Sequence, residues 1–357
     1  VTKTENKRGT TMVELVWKGK KPLEPANLKN TKIPAQHLCT FESYPGQSTE
    51  KHTNIPLNTT PTWHNRLILG DKSAILPALL PEFTGQINLI YIDPPFMTGR
   101  DFKNLEQLAF SDKWDNNLDT YLQWLYETFV LLKLLLSSNG SLYVHLDWRV
   151  THYAKVILDE VFGSNSRTDG PGFKNEIIWH YQSGGRAQKR YASKHDTILF
   201  YSNSDNYCFH GERVGELRGT KKRNHMKKCV DADGHTHWTI HSAGRLYTYG
   251  EDSHMTPTDV WSDISHLHQT DPERNGYATQ KPAALLERII LASSEENDLV
   301  LDCFCGSGVT PAVAERLDRR WIACDQSELA LKLTRDRMLT FELVRPFVMQ
   351  RLENDAT

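Results

Sequence analysis

Four consecutive residues, Asp93-Pro94-Pro95-Phe96, set a carboxylate, a stiff turn and an aromatic ring side by side. Proline restricts the backbone and carries no N–H, so the Pro94 carbonyl has no neighbouring donor competing for it. A carboxylate and a carbonyl placed in one plane can each accept one N–H of a planar exocyclic amine. That draws the nitrogen lone pair out of conjugation and frees it to attack an electrophilic carbon in line, while the ring stacks on the heterocycle. Positioning and desolvation would supply most of the rate. The plain alternative for an isolated Asp-Pro-Pro is a strand-ending turn whose Asp caps a helix.

A second constellation is Asp302-Cys303-Phe304-Cys305-Gly306-Ser307-Gly308, read as a loop between a strand and a helix. Glycines there let a ligand approach the backbone at a helix N-terminus. Seventeen residues past Gly308, Asp325 ends the next expected strand, where an acid can accept hydrogen bonds from both ribose hydroxyls. Pro311 stands where a dinucleotide fingerprint needs its third glycine, and no Lys-Ser/Thr pair follows for a nucleoside triphosphate. What survives is an adenosine site with no need of a pyrophosphate, a description that S-adenosylmethionine fits.

These groups need a scaffold, and the apolar patterning supplies one. Arg66 to Asp71 and Ile87 to Ile92 read as strands, the second apolar on both faces like the interior of a parallel sheet. Tyr121 to Leu136 has helical spacing ended by Asn139-Gly140, followed by a strand over Ser141 to Leu146 and a helix over Tyr153 to Phe162. Glu176 to Trp179 and Thr197 to Tyr201 are further strands. The alternation resumes with a helix from Pro282 to Ser293, a strand over Leu299 to Asp302, a helix to about Leu317, a strand over Arg320 to Cys324 and a last helix. The class is α/β with a mostly parallel sheet. Four segments are expected: an irregular, proline-punctuated N-terminal arm (1–62), a catalytic half (63–202), an insert (203–262) with a hairpin turn at Asp233-Gly234, and a cofactor-binding half (263–357).

The net charge of −2 conceals an uneven distribution. Ser164 to Val230 holds 13 Lys and Arg against 6 Asp and Glu, leaving the rest of the chain at −9. A basic segment on an acidic protein suits a polyanion-facing surface. No apolar run is long enough for a bilayer and no signal-peptide core precedes Lys21, so a cytoplasmic protein without membrane association is expected. The six cysteines form no paired framework. Cys208, His210, Cys229, His235 and His237 lack a Cys-x-x-Cys pair, so no metal is expected.

Ile90 to Gly99 resembles the catalytic motif of amino-group DNA methyltransferases, Phe304 to Gly308 their cofactor motif, and Thr279-Gln280-Lys281-Pro282 the motif upstream of it. The catalytic motif comes first, the circularly permuted order of the β class, which includes modification subunits of type III restriction systems. The similarity runs from about Val13 to Val344, weakest around 203 to 255. It implies a Rossmann-like methyltransferase fold with a target-recognition insert. It also implies that Asp93, Pro94, Pro95 and Phe96 hold and stack the base, and that Asp302, Phe304, Gly306, Ser307, Gly308 and Asp325 line S-adenosylmethionine. Thr279, Gln280, Lys281 and Pro282 would lie at the cofactor's methionine end, and Asp71 near cofactor or base. Departures are Cys303 for the usual Pro, Val309 for Thr and Phe96 for Tyr; none removes a group the chemistry needs.

A base inside a duplex must be flipped to reach such a site, and Arg186, Lys189, Arg190, Lys221, Lys222, Arg223, Lys227 and Lys228 are the expected DNA contacts, mostly to phosphate. Asp at the head of the tetrapeptide is associated with adenine N6, Ser with cytosine N4, so adenine is the expected target and cytosine the alternative. Methyltransferases of RNA or protein glutamine usually carry Asn-Pro-Pro-Tyr and the opposite motif order, and a non-catalytic relative would not keep both motifs intact. The family also brings a homodimer and a restriction subunit into view as partners beside double-stranded DNA.

Overall fold

The computed structural model describes residues 2–5, 11–23, 37–46, 63–104, 107–114, 117–164, 170–182, 187–219 and 225–353. Among them a ten-stranded sheet forms the spine. Its strands are β1 (Leu38–Tyr44), β2 (Asn65–Leu69), β3 (Ile87–Ile92), β4 (Leu136–Leu146), β5 (Gly172–His180), β6 (His195–Ser202), β7 (Val260–Trp261), β8 (Leu299–Asp302), β9 (Arg320–Asp325) and β10 (Phe347–Leu352). The spatial order is β7-β5-β6-β4-β3-β8-β9-β2-β10-β1. β6 runs antiparallel to both β4 and β5, and β1 antiparallel to β10; the other neighbours are parallel.

Helices α1 (Lys72–Phe83), α2 (Leu118–Leu135) and α3 (Thr151–Phe162) belong to the first half of the chain, and α4 (Ala283–Ser293), α5 (Val309–Arg316) and α6 (Glu328–Met338) to the second. In α2, Tyr121, Leu125, Phe129 and Leu132 recur at helical spacing and are fully buried. β3 is apolar on both faces because it is covered on both: Ile90 and Ile92 pack with α1 to α3, Leu89 and Tyr91 with α4 to α6. β8, which comes late in the chain, slots in beside β3. Connections therefore leave β3 and β8 in opposite directions, and the crevice beyond their carboxyl ends, at Asp93 and Asp302, is where such sheets hold ligands.

The N-terminal arm is less irregular than its prolines suggest. Thr2–Glu5 pairs with Thr11–Glu14, and Leu38–Tyr44 forms the sheet's edge strand, with Tyr44 stacked on Phe347 at 4.4 Å. The expected helix through Leu136 ends one residue earlier, and β4 begins at Leu136 rather than Ser141, because Leu136 pairs with Ile87 of β3. In the expected insert, Lys227–Val230, Thr236–Ser242 and Arg245–Gly250 make a separate three-stranded antiparallel sheet, with Gly234 (φ +85) in the first turn. Among the described residues no helix is long and apolar enough to cross a membrane.

Candidate active site

A cavity of about 300 Å³ opens at the β3/β8 crevice, lined by Asp93 to Phe96, Gly70 to Lys72, Asp302 to Ser307, Thr279, Lys281 and Asp325. The structure thus brings the two constellations into one site, although roughly two hundred residues of sequence separate them.

The turn at Asp93-Pro94-Pro95-Phe96 is clamped from two sides. The Tyr121 hydroxyl of α2 donates to the Pro95 carbonyl at 2.8 Å. The buried Asp112 carboxylate accepts from the Met97 N–H (2.9 Å), the Thr98 N–H (2.7 Å), the Thr98 hydroxyl (2.6 Å) and the Trp114 indole N–H (3.1 Å). Met97 sits at φ +59, a left-handed conformation costly for a side chain, so the hydrogen bonds around it must over-determine the turn. Among the described residues no hydrogen bond reaches the Pro94 carbonyl.

Asp93 is ion-paired with Lys281, whose ammonium also lies 5.4 Å from the centre of the Phe96 ring. The resemblance puts Lys281 at a methionine carboxylate; here its partner is the Asp93 carboxylate. Behind Phe96, the His145 ring stacks at 6.2 Å and 23°. His145 is fully buried, with Nδ1 2.9 Å from the Tyr91 hydroxyl and Nε2 3.1 Å from Asp196, whose other oxygen accepts from Tyr181 at 3.0 Å. The interactions with His145 and Lys281 hold the Asp196 carboxyl below its usual range despite its burial. Tyr91, His145, Tyr181 and Asp196 come from four different strands or strand ends, so no sequence spacing reveals the network.

The glycine loop is organised by two acids. Asp302 accepts from the Phe304 N–H (2.9 Å) and the Thr310 hydroxyl (2.6 Å), and Asp325 from the N–H groups of Gly306 and Ser327 (both 2.9 Å). Gly306 (φ +48) and Gly308 (φ +74) need left-handed backbone, and a Cβ would fall 2.9 Å from Tyr277 and 2.6 Å from Thr334 respectively. The glycines therefore serve the loop's own packing as much as ligand approach. Gly308 caps α5 and, like Gln280 and Pro282, does not line the cavity. Gln280 accepts from the Asn275 N–H (3.0 Å) and donates to the Glu273 carbonyl (2.8 Å), ordering the segment before α4, while Pro282 caps that helix. Asp71 caps α1 through the Ser73 N–H at 2.8 Å and faces the cavity.

Burial raises the carboxyl of Asp302 to about 7, helped by the nearby Asp93 and Asp325 charges, and that of Asp325 to about 6. Asp71, Asp93, Asp112, Asp302 and Asp325 line the cavity against Lys72, Lys113 and Lys281, and this acidic excess favours a cationic occupant. S-adenosylmethionine carries a sulfonium and an ammonium, so this acid set fits it. Lys72, which lines the cavity, is one of the residues the sequence does not mark: it is buried 4.4 Å over the Trp124 ring, and burial lowers its ammonium to about 8. Burial pushes the thiols of Cys303, Cys305 and Cys324 well up, the opposite of what a nucleophile needs.

Of the expected DNA contacts, Lys189 and Arg190 lie exposed on the β5–β6 connection, and Lys227 and Lys228 on the three-stranded sheet. Arg186, Lys221, Lys222 and Arg223 fall outside the described residues. Cys208, His210 and Glu295 approach one another within 4.8 Å, but Glu295 is held by Arg213 at 2.8 and 3.1 Å.

A mostly parallel sheet with an acid-lined nucleoside crevice and a clamped Asp-Pro-Pro-Phe turn defines an S-adenosylmethionine-dependent methyltransferase of the β class. The DNA methylase family model matches residues 87–336, and the chain belongs to that family, whose substrates are amino groups of DNA bases. It is 28% identical over 320 residues to the type II methyltransferase M.EcaI of Enterobacter cloacae, covering 76% of this chain and 69% of that protein. It is 31% identical over 250 residues to M1.MboII of Moraxella bovis, covering 68% and 85%. The match to the DNA adenine methyltransferase YhdJ of Escherichia coli is 28% identical, covering 75% and 80%. Its fold is shared with a DNA modification methylase of Thermus thermophilus, solved with S-adenosyl-L-methionine, at a TM-score of 0.51 and 18% identity over 82% of this chain and all of that one.

Proposed function

We propose that this enzyme methylates the N6 amino group of adenine in double-stranded DNA, taking the target base out of the helix. The observation that carries the reading is the clamped turn itself: the Asp93 carboxylate and the unengaged Pro94 carbonyl share one cavity with the Asp302–Ser307 loop and Asp325. Asp at the head of the tetrapeptide supports adenine, as does the relative named a DNA adenine methyltransferase.

Phe304, Gly306, Ser307 and Asp325 would hold S-adenosylmethionine, which supplies an electrophilic methyl group when bound. Asp93 and the Pro94 carbonyl accept the two amino N–H bonds of the base, turning the nitrogen lone pair toward that methyl. Phe96, backed by His145, stacks on the base, and Lys281 orients the Asp93 carboxylate. Asp93 is the group placed to receive the proton that the amine loses as the new N–C bond forms, the methyl–sulfur bond breaking with its electron pair left on a neutral thioether. Lys189, Arg190, Lys227 and Lys228 contact phosphates and hold the duplex in register.

Digesting enzyme-treated DNA to nucleosides and identifying the methylated one by mass spectrometry tests the reading. N6-methyladenine is expected; N4-methylcytosine alone would overturn the choice of base.

A further inference from the structure

Flipping a base leaves a gap in the stack, and proteins that open DNA commonly fill such gaps with a wedge side chain. Resting on the proposed DNA reaction, we propose that Tyr191 enters the duplex and occupies the space vacated by the target base.

Single exposed aromatic residues are ordinary; the placement of this one is not. β3 ends at Ile92 opposite Val144 of β4, and Leu146 of β4 lies opposite Thr197 of β6. The β5–β6 connection that carries Tyr191 therefore leaves the sheet at the same edge as Asp93. Its neck is closed by the Tyr181 N–H donating to the Lys194 carbonyl at 2.9 Å. From that neck a chain of direct contacts runs inward: Tyr181 to Asp196, Asp196 to His145, and His145 stacked on Phe96. The connection is thus tied to the ring against which the flipped base would stack. On this connection Tyr191 is 98% exposed, makes no ring contact among the described residues, and follows the exposed Lys189 and Arg190. Cations beside an unpartnered ring suit a wedge that must approach a polyanion before it stacks. Another exposed aromatic at this edge, Trp148, already has its ring covered by the Arg149 guanidinium at 4.8 Å.

The test compares methyl transfer by the wild-type enzyme, Tyr191→Ala, Tyr191→Phe and Trp148→Ala on two duplexes carrying the enzyme's own site. One duplex is intact; the other is abasic opposite the target, where the base is already weakly held. Tyr191→Ala should lose roughly 10-fold or more on the intact duplex, the range of one lost base–aromatic stack. It should recover to near wild-type on the abasic duplex, and Tyr191→Phe should behave as wild-type on both. Equal activity of Tyr191→Ala on the intact duplex, an equal loss on both duplexes, or the rescue pattern appearing in Trp148→Ala instead would each overturn the assignment. A wild-type enzyme that transfers nothing to either duplex would refute the DNA reading itself, a separate failure.

Discussion

Replacing Asp112 by Asn removes a charge and one acceptor while leaving the volume unchanged, and the consequence can be worked from the hydrogen bonds. One carboxylate oxygen serves the Met97 N–H and the Trp114 indole; the other serves the Thr98 N–H and hydroxyl. In either amide orientation an NH2 group faces at least one backbone N–H, and a buried donor left unsatisfied costs about 1–3 kcal/mol. The remaining bonds lose their charge assistance, which is roughly half their strength. Met97 at φ +59 stores about 1–3 kcal/mol more that these bonds must hold. A penalty of about 2–4 kcal/mol on the ordered turn should lower the single-turnover rate of methyl transfer about 30-fold or more, at 1.4 kcal/mol per tenfold. Cofactor affinity, measured by calorimetry, should change little, because Asp112 makes no hydrogen bond to the glycine loop or to Asp325. A transfer rate within about twofold of wild-type in a folded Asp112→Asn protein would refute the clamp.

The raised carboxyls of Asp302 (about 7) and Asp325 (about 6) make cofactor binding pH-dependent. A cation favours their ionised forms, so affinity should rise from about pH 5.5 to 8 with protons released on binding, measured by calorimetry in buffers of differing ionisation heat; a flat profile would contradict this. Because the folded form binds more protons than the unfolded one between the ordinary value of 3.8 and these raised values, the two groups should also make the cofactor-free protein less stable as pH rises through that window, seen as a falling Tm. Gly308→Ala would put a Cβ 2.6 Å from the Thr334 hydroxyl oxygen at φ +74. Left-handed backbone and overpacking together should cost about 2–4 kcal/mol and, in a chain of this length, lower Tm by about 3–5 °C; an unchanged melting curve would count against that packing.

What was legible in the sequence was local. The tetrapeptide, the glycine loop and Asp325 each declare themselves within a few residues, because a strand end, a turn and a helix start have strong local signatures. The two-sided apolar run of Ile87 to Ile92 placed the first motif at a sheet interior, and the motif order supplied the permuted topology. What escaped depends on pairing across distance. Leu38–Tyr44 reads as a loop until Phe347–Leu352 offers it an edge. Asp112 is an unremarkable acid until the turn at Met97 folds onto it, and His145, Asp196 and Tyr181 meet only once β4, β5 and β6 align. Thr279-Gln280-Lys281-Pro282 was visible as a motif, yet only geometry shows Lys281 reaching Asp93 and Gln280 bracing its own loop.

In the proposed mechanism the Asp93 turn performs amino-group methyl transfer to DNA. The most direct measurement is transfer of labelled methyl groups from S-adenosylmethionine to DNA by the wild-type protein and by Asp93→Ala, with cofactor binding measured in parallel. Transfer by the wild-type and its loss in Asp93→Ala, while the variant still binds the cofactor, is the predicted result. An Asp93→Ala protein that keeps methylating DNA at the wild-type rate would contradict the account.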